Sequence, residues 1–280
     1  MKVLIVGSEG YLGSVLTLRL REKHKVTGYD MLHLQDVRDK PLIESFCKGK
    51  DALIYLASIS NNDLCEAKPE FAKSINEDAF PGVIRAAREA GVKRFIYASS
   101  VAAYGDSDRV LTESDPLYPT TPYGRGKAYC EDYLKTHPSE MPFIITRSAS
   151  VCGHSPYMRW DLTVNKMVHD ALKTRVITVN GGEQFRCHIH IQDLCEFYAL
   201  LLTAPIELIQ GQAFNVVHKN EAVKETAETV KSMIEGTKII TGPATDERSY
   251  QVSGTKANRV LAWYPWRTID MAVDDINAYG

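Results

Sequence analysis

The chain opens with an unbroken apolar run, Val3-Leu4-Ile5-Val6, of the kind shown by a strand buried on both faces. After a glycine-punctuated stretch, Val15 to Arg21 is apolar on one side and closes on basic residues, as a helix C-terminus favours. Lys25 to Asp30 predicts a second strand that stops on a carboxylate. A short third strand is expected just before Asp36-Val37-Arg38-Asp39, and Pro41 to Lys48 predicts a brief helix. Ala52 to Ala57 repeats the buried-strand pattern, whereas Asn61 to Phe71 is polar and predicts loop or loose helix. Ile75, Ala79, Val83, Ile84 and Ala87 fall at helical spacing over 74–90, with Gly91 as the stop. Arg94 to Ala98 is a further strand that runs into Ser99-Ser100. A loop with Pro116, Pro119 and Pro122 leads to a helix over 123–136, and Pro142 to Arg147 is the next strand. Alternating strand and helix argue for an α/β fold, a doubly wound Rossmann-type parallel sheet covered on both faces.

Beyond Gly153 the rhythm changes. Leu162 to Leu172 predicts a helix, Val176 to Val179 a strand closed by Asn180-Gly181-Gly182, and Ile191 to Leu202 another helix, with a last helix around Ile269 to Ala278. Residues 1–155 are therefore expected to form one domain, built on the parallel sheet. Residues 156–280 are expected to form a smaller lobe interleaved with it.

Composition narrows the partners. A formal net charge of −2 over 280 residues favours neither nucleic acid nor an anionic membrane. No apolar run approaches the ~20 residues of a membrane span, and the first residues read as a strand leading into a turn, not as a signal peptide. Cys47, Cys65, Cys130, Cys152, Cys187 and Cys195 are scattered without a C-x-x-C pair. They are expected to be reduced thiols of a cytoplasmic protein.

The first chemistry lies in Gly7-Ser8-Glu9-Gly10-Tyr11-Leu12-Gly13. Strand, glycine turn, helix, strand and acid is the layout of a dinucleotide-binding unit, in which the turn lets the backbone approach a pyrophosphate at a helix N-terminus. Asp30 stands where a carboxylate accepts from the adenosine ribose and repels a 2′-phosphate, so NAD is expected over NADP. Glycines placed only for packing are the alternative, which strand, helix and acid in register disfavour.

Tyr123 and Lys127 stand four apart on a predicted helix and share a face. A nearby ammonium lowers a phenol's pKa toward a useful base. Such a pair alone is usually a solvated surface pair, but Ser100 ends the strand just before it and can bond the same substrate oxygen. Gly124 and Gly126 are poor helix residues and suggest that something packs close. His188 and His190 share a strand face without a third metal ligand, so packing is expected of them, as it is of Cys152. Trp263 and Trp266 are expected in the core of the second lobe.

The G-x-x-G-x-x-G spacing resembles the extended short-chain dehydrogenase/reductase family. Ser99 to Gly105 resembles the S-S-x-x-V-Y-G segment of its nucleotide-sugar epimerases and dehydratases, and Tyr123 to Lys127 their Y-x-x-x-K. The resemblance implies Ser100, Tyr123 and Lys127 as catalytic residues. It implies NAD contacts from Gly7, Gly10, Tyr11, Leu12, Gly13, Asp30, Asp36, Val37, Leu56, Ala57, Asn76 and Ser99, with Tyr123 and Lys127 also touching the cofactor. Arg147 to Gly153 resembles R-x-x-N-V-Y-G with Ser150 and Cys152 replacing two members, and Arg186 to Asp193 resembles R-x-Y-I-H-V-x-D. Arg186, Asn165 and Arg248 are thereby implied in gripping a substrate diphosphate, beside Ser100 and Tyr123 at the sugar.

Val101-Ala102 stands where the family's dehydratases carry Asp-Glu and its C3/C5 epimerases a cysteine, so neither chemistry is expected. The resemblance then implies C4 epimerisation of a nucleotide-diphosphate sugar through a transient 4-keto intermediate, with a homodimer packed through the helices near Ser74 and Tyr123. A 4-keto-sugar reductase or dehydrogenase remains an alternative, as does a non-catalytic NAD-binding regulator.

Overall fold

The computed structural model describes residues 1–137, 141–244, 246 and 248–279. The first half of the chain runs β1 (Lys2–Val6), α1 (Tyr11–Arg21), β2 (Lys25–Tyr29), α2 (Lys40–Cys47), β3 (Ala52–Tyr55), α3 (Asn62–Ala67), α4 (Pro69–Lys73), α5 (Phe80–Glu89), β4 (Arg94–Ser100), β5 (Val110–Leu111) and α6 (Pro122–Thr136). The second half runs β6 (Phe143–Ser148), β7 (Ser150–Cys152), α7 (Thr163–Thr174), β8 (Val176–Asn180), β9 (Phe185–His190), α8 (Ile191–Thr203), α9 (Ile206–Ile209), β10 (Gln212–Val216), β11 (Lys219–Ala222), α10 (Val223–Met233), β12 (Lys238–Gly242), β13 (Gln251–Val252), α11 (Thr255–Leu261) and α12 (Ile269–Tyr279). Two compact units divide it: Met1–Gly105, Pro116–Arg147 and Cys195–Phe214 make one, and Asp106–Asp115, Ser148–Leu194 and Asn215–Gly280 the other.

The first unit is built on a six-stranded parallel sheet in the order β10-β6-β4-β3-β1-β2. Leu4, Ile5, Val6, Leu53, Ile54, Phe95 and Ile96 are fully buried, neighbours on a strand included, because helices cover both faces. β1 pairs in parallel with β2 on one side and β3 on the other, so the strand order reverses there. The connections leaving the C-terminal ends of β1 and β3 diverge and open the crevice in which such sheets bind ligands.

One local expectation changes, and the loop-or-helix alternative for Asn61 to Phe71 resolves to helix. The third strand expected before Asp36 is a 3₁₀ turn, Met31–His33, capped by the Asp30 carboxylate, which accepts from Leu32 N at 3.0 Å. A side chain that bonds the backbone locally in this way competes with a strand ladder. Residues 62–73 are two short helices, the first capped by Asn61 and the second opened by Pro69. They run into a π-helical turn at Ser74–Asp78. Pro81 in the first turn of α5 has no N–H to donate backward, which interrupts the regular ladder there.

In the second unit, β9 pairs antiparallel with β11 and parallel with β7, and β12 lies parallel to β8. Helices α7, α10 and α12 supply its core through Val164, Val168, Ala227, Val230, Val273 and Ile276. Trp266 is not part of that core. It is 54% exposed, with the Arg267 guanidinium 4.3 Å from its ring centroid, and its backbone N–H donates to the buried Asp193. Trp263 is half-buried.

Candidate active site

The three glycines after β1 serve different ends. Gly7 has φ +90°, and a Cβ there would stand 2.8 Å from Ala57 N, so both conformation and the approach of β3 require glycine. A Cβ on Gly13 would meet the Gly7 carbonyl oxygen at 1.9 Å. Gly10 is different, because the nearest atom to its added Cβ is 3.7 Å away and packing places no demand on it. It is the N-cap of α1 and makes no side-chain cap, and the first turn beyond it carries no acid. A bare backbone at a helix N-terminus suits a phosphate group.

Asp30 closes this turn from β2: its Oδ2 accepts from Glu9 N at 2.9 Å. With Oδ1 occupied by Leu32 N, the carboxylate is held half-buried, and each oxygen keeps a lone pair for a ribose hydroxyl. Asp36 lies further along that edge, gripped by the Arg38 guanidinium at 2.5 to 3.1 Å, and Val37 beside it is buried. Leu56 N and Ala57 N both donate to Val6 O, fixing the start of the β3 connection against the glycine turn. Asn76, in the π turn, ties the next residues: its amide exchanges both hydrogen bonds with Ile59 at 2.8 and 2.9 Å and accepts from Ser58 Oγ at 3.0 Å.

The end of β4 turns outward at Ser100. Ser99 points into the unit, where its hydroxyl donates to Glu131 Oε1 at 2.6 Å. Ser100, on the opposite strand face, caps the turn Val101–Ala103 by accepting from Ala102 N at 3.2 Å. Helix α6 begins against that turn. Thr121 caps it, Pro122 opens it, and a Cβ on Gly124 would fall 2.5 Å from the Ala102 carbonyl oxygen. Gly126 likewise leaves room for Asn76, whose Cβ would be 3.3 Å away. These are the close approaches that the two helix glycines allow. They bring the first turn of α6, with Tyr123, alongside the end of β4.

One turn further on, Lys127 is only 5% exposed. Its Nζ donates to Ala98 O at 2.7 Å and lies 5.4 Å from the Tyr123 ring centroid and 5.2 Å from that of Tyr97. Burial lowers the ammonium to about 8, which makes it a poised cation beside the phenol.

Sequence reasoning missed the anchor beneath. Glu131, fully buried, accepts from Arg147 Nε at 2.9 Å and Nη2 at 2.7 Å, and Arg147 Nη1 donates to Tyr104 Oη at 2.6 Å. Burial pushes the Glu131 carboxyl up, but the hydrogen bonds and charge of Arg147 outweigh it and hold the group below its ordinary range. The signal was there: Glu131 follows Lys127 by four and Tyr123 by eight residues, so all three share a helix face.

In the second unit, Arg186 and Arg248 converge. Arg186 Nη2 and Arg248 Nη2 both donate to Asp246 Oδ2, at 2.8 and 2.7 Å. Asn165 is fully buried: its Oδ1 accepts from Gly153 N at 3.3 Å and its Nδ2 donates to Arg159 O at 3.1 Å. His188, lowered by burial to about 3, and His190, 3.2 Å from Asp275, are both buried, as is Cys152, whose thiol burial pushes up. Among the described residues no group of His, Cys, Asp and Glu could hold a metal ion, and no helix is long and apolar enough to cross a membrane.

Residues 3–216 match the NAD dependent epimerase/dehydratase family. The chain belongs to that family. Low-salt glycan biosynthesis protein Agl12 of Haloferax volcanii is 27% identical over 241 residues, covering 82% of this chain and 75% of its own. The protein described as uncharacterized UDP-glucose epimerase YtcB of Bacillus subtilis is 26% identical over 291 residues, covering 92% and 88%. UDP-glucose 4-epimerase of Thermotoga maritima, solved with UDP-glucose, has the same fold, with a TM-score of 0.90 at 21% identity over 99% of both chains. MoeE5, solved with UDP-glucuronic acid and NAD, gives 0.88 at 22% identity over 99% and 98%. The extended short-chain dehydrogenase/reductase resemblance and the Rossmann-type fold read from the sequence both stand.

Proposed function

We propose that the protein is an NAD-dependent nucleotide-sugar epimerase acting at C4 through a transient 4-keto intermediate. The observation that carries this reading is the placement of Lys127, buried at the base of α6 against Ala98 O and one turn from Tyr123. An ammonium held there favours the phenolate, so Tyr123 takes the C4 hydroxyl proton as the ketone forms and returns it as the ketone is reduced. Ser100 orients that oxygen by a hydrogen bond. NAD, when bound, supplies the acceptor and donor of the hydride. Gly10 at the α1 N-terminus, Asp30 at the ribose and Leu56-Ala57 at the end of β3 are the residues that would hold it, and the open space at Gly10 suits the pyrophosphate. Arg186, Arg248 and Asn165 of the second unit are assigned to the substrate diphosphate.

Dehydration by the family's acid pair is disfavoured, since Val101 is buried and Ala102 offers no carboxyl after Ser100. Relatives whose names specify UDP-glucose support a nucleotide sugar as the substrate class. Incubation with a panel of nucleotide sugars, read by proton NMR, tests the proposal. The expected result is an equilibrium mixture of C4 epimers, with deuterium placed at C4 retained in the inverted product. Label in free NADH would mean a dehydrogenase, and label lost to water would remove the role given to Tyr123.

A further inference from the structure

The two arginines assigned to the diphosphate are already engaged. Asp246 Oδ2 takes one N–H from each guanidinium at 2.8 and 2.7 Å, its Oδ1 takes Arg248 Nε at 2.7 Å, and Arg248 N donates to Oδ1 at 3.2 Å. Arg186 Nη1 also donates to the Arg248 carbonyl, and its guanidinium lies 5.7 Å from the Tyr250 ring centroid. A carboxylate bridging two forked cations is the geometric counterpart of phosphate oxygens gripped by the same forks. Among the described residues, the ion pairs here join two guanidiniums to the one carboxylate of Asp246, and Asp106 acts on Arg248 through charge without accepting its hydrogen bond. Arg186 is 10% exposed and Arg248 28%, while Asp246 at 38% is the most solvent-facing member. Burial pushes the Asp246 carboxyl up, but the hydrogen bond from Arg248 and the two cations hold it below its ordinary range, so it is an anion at neutral pH.

We infer that Asp246 is an internal competitor for the anion site formed by Arg186 and Arg248, holding both guanidiniums in the free protein and giving way to the substrate diphosphate. This rests on the nucleotide-sugar reading above. The competition lowers apparent affinity by the fraction of molecules in which the arginines are released. Asp246 thereby sets how tightly the nucleotide is held, and how readily it leaves.

Calorimetric titration of UDP and dTDP into the wild type and Asp246→Asn tests it. Asparagine keeps the shape and one acceptor but loses the charge. The variant is expected to bind at least about fivefold tighter, the low end of coupling between two ligands. Asp106→Asn is the control, because Asp106 raises Arg248 through charge but accepts its hydrogen bond from Ser249 N at 3.1 Å. It is expected to shift affinity by less than about twofold, as weakly coupled surface charges do. Equal or weaker UDP binding by Asp246→Asn overturns the proposal, since Asp246 would then be a strut that orients the arginines. Equal tightening in both variants overturns it as well, by reducing the effect to general charge. Binding by the variant where the wild type shows none supports it. If neither protein binds UDP, dTDP, GDP, CDP or ADP, the nucleotide-sugar reading falls and takes the proposal with it. Asp246→Ser gives the same comparison should the asparagine variant fail to fold.

Discussion

Replacing Lys127 by methionine separates what the residue costs the fold from what it does in the reaction. The ammonium is 5% exposed, and its folded-state pKa of about 8 lies below the ordinary 10.5. At ~1.4 kcal/mol per pH unit, that gap is a penalty of about 3 kcal/mol for keeping the charge buried at neutral pH. The unfolded chain binds the proton more tightly, so the penalty is complete below pH 8 and fades as pH rises to 10.5. Wild-type stability therefore climbs across that window. Lys127→Met removes the penalty but leaves the Ala98 carbonyl without its 2.7 Å partner, at a cost of about 1–3 kcal/mol. The two nearly offset, and the variant should be as stable as the wild type or up to ~2 kcal/mol more stable at pH 7. On the proposed mechanism turnover should nonetheless fall by about 10²–10⁴, because the Tyr123 phenol would lose the cation that favours its phenolate. Urea unfolding at pH 7 and pH 9.5, without added cofactor, reads the first part. The wild type should gain ~2 kcal/mol between the two pH values relative to the variant. A variant that loses more than about 2 kcal/mol at pH 7, or that follows the wild-type pH dependence, would refute the view of Lys127 as a strained buried cation.

Tyr123→Phe should keep the fold and cofactor affinity while turnover drops about 10²–10⁴-fold, measured by NMR turnover and NAD titration side by side. Ser100→Ala should cost less than Tyr123→Phe in the same assay, since in the proposed mechanism the serine orients an oxygen but carries no proton away. Fluorescence titration should show NAD(H) bound in preference to NADP(H) if Asp30 holds the adenosine ribose as proposed, since its carboxylate repels a 2′-phosphate; tighter NADPH binding would overturn that assignment. Glu131→Gln should lower stability by about 3–5 kcal/mol in urea, as a buried guanidinium loses its bidentate partner, and an effect under about 1 kcal/mol would contradict the buried geometry.

Strands β1 and β3 of the sheet were legible because they are continuous apolar runs, whereas β10 at its edge, Gln212–Val216, carries no such run and was not read. Val3 to Val6 and Ala52 to Tyr55 lie where their hydrophobicity put them. The helix carrying Tyr123 and Lys127 was also plain, down to the two glycines whose neighbours are now visible as Ala102 and Asn76. The strand expected before Asp36 failed because periodicity does not report a side chain bonding its own backbone, as Asp30 does with Leu32. Trp266 was misplaced because burial scales count its ring as core, while Asp193 fixes its backbone in a position that leaves the ring in solvent. Glu131 and Arg147 could not be paired from spacing alone. They belong to different elements, and only the packing of α6 on the sheet makes them partners.

Tyr123, Lys127 and Glu131 occupy successive turns of one helix, about 12 Å from first to last at 1.5 Å per residue. The last of them is clamped in the interior by Arg147 and the middle one is bonded to a strand carbonyl. Proton-handling groups carried on a loop or lid sit at the low-stability end of a protein and are released by local opening. Here the helix cannot loosen at its reactive end without drawing Lys127 away from Ala98, and then Glu131 away from its ion pair. Loss of activity on heating should therefore track the global transition, with no earlier inactivation step, and the amides of α6 should exchange with solvent only as slowly as the core strands do.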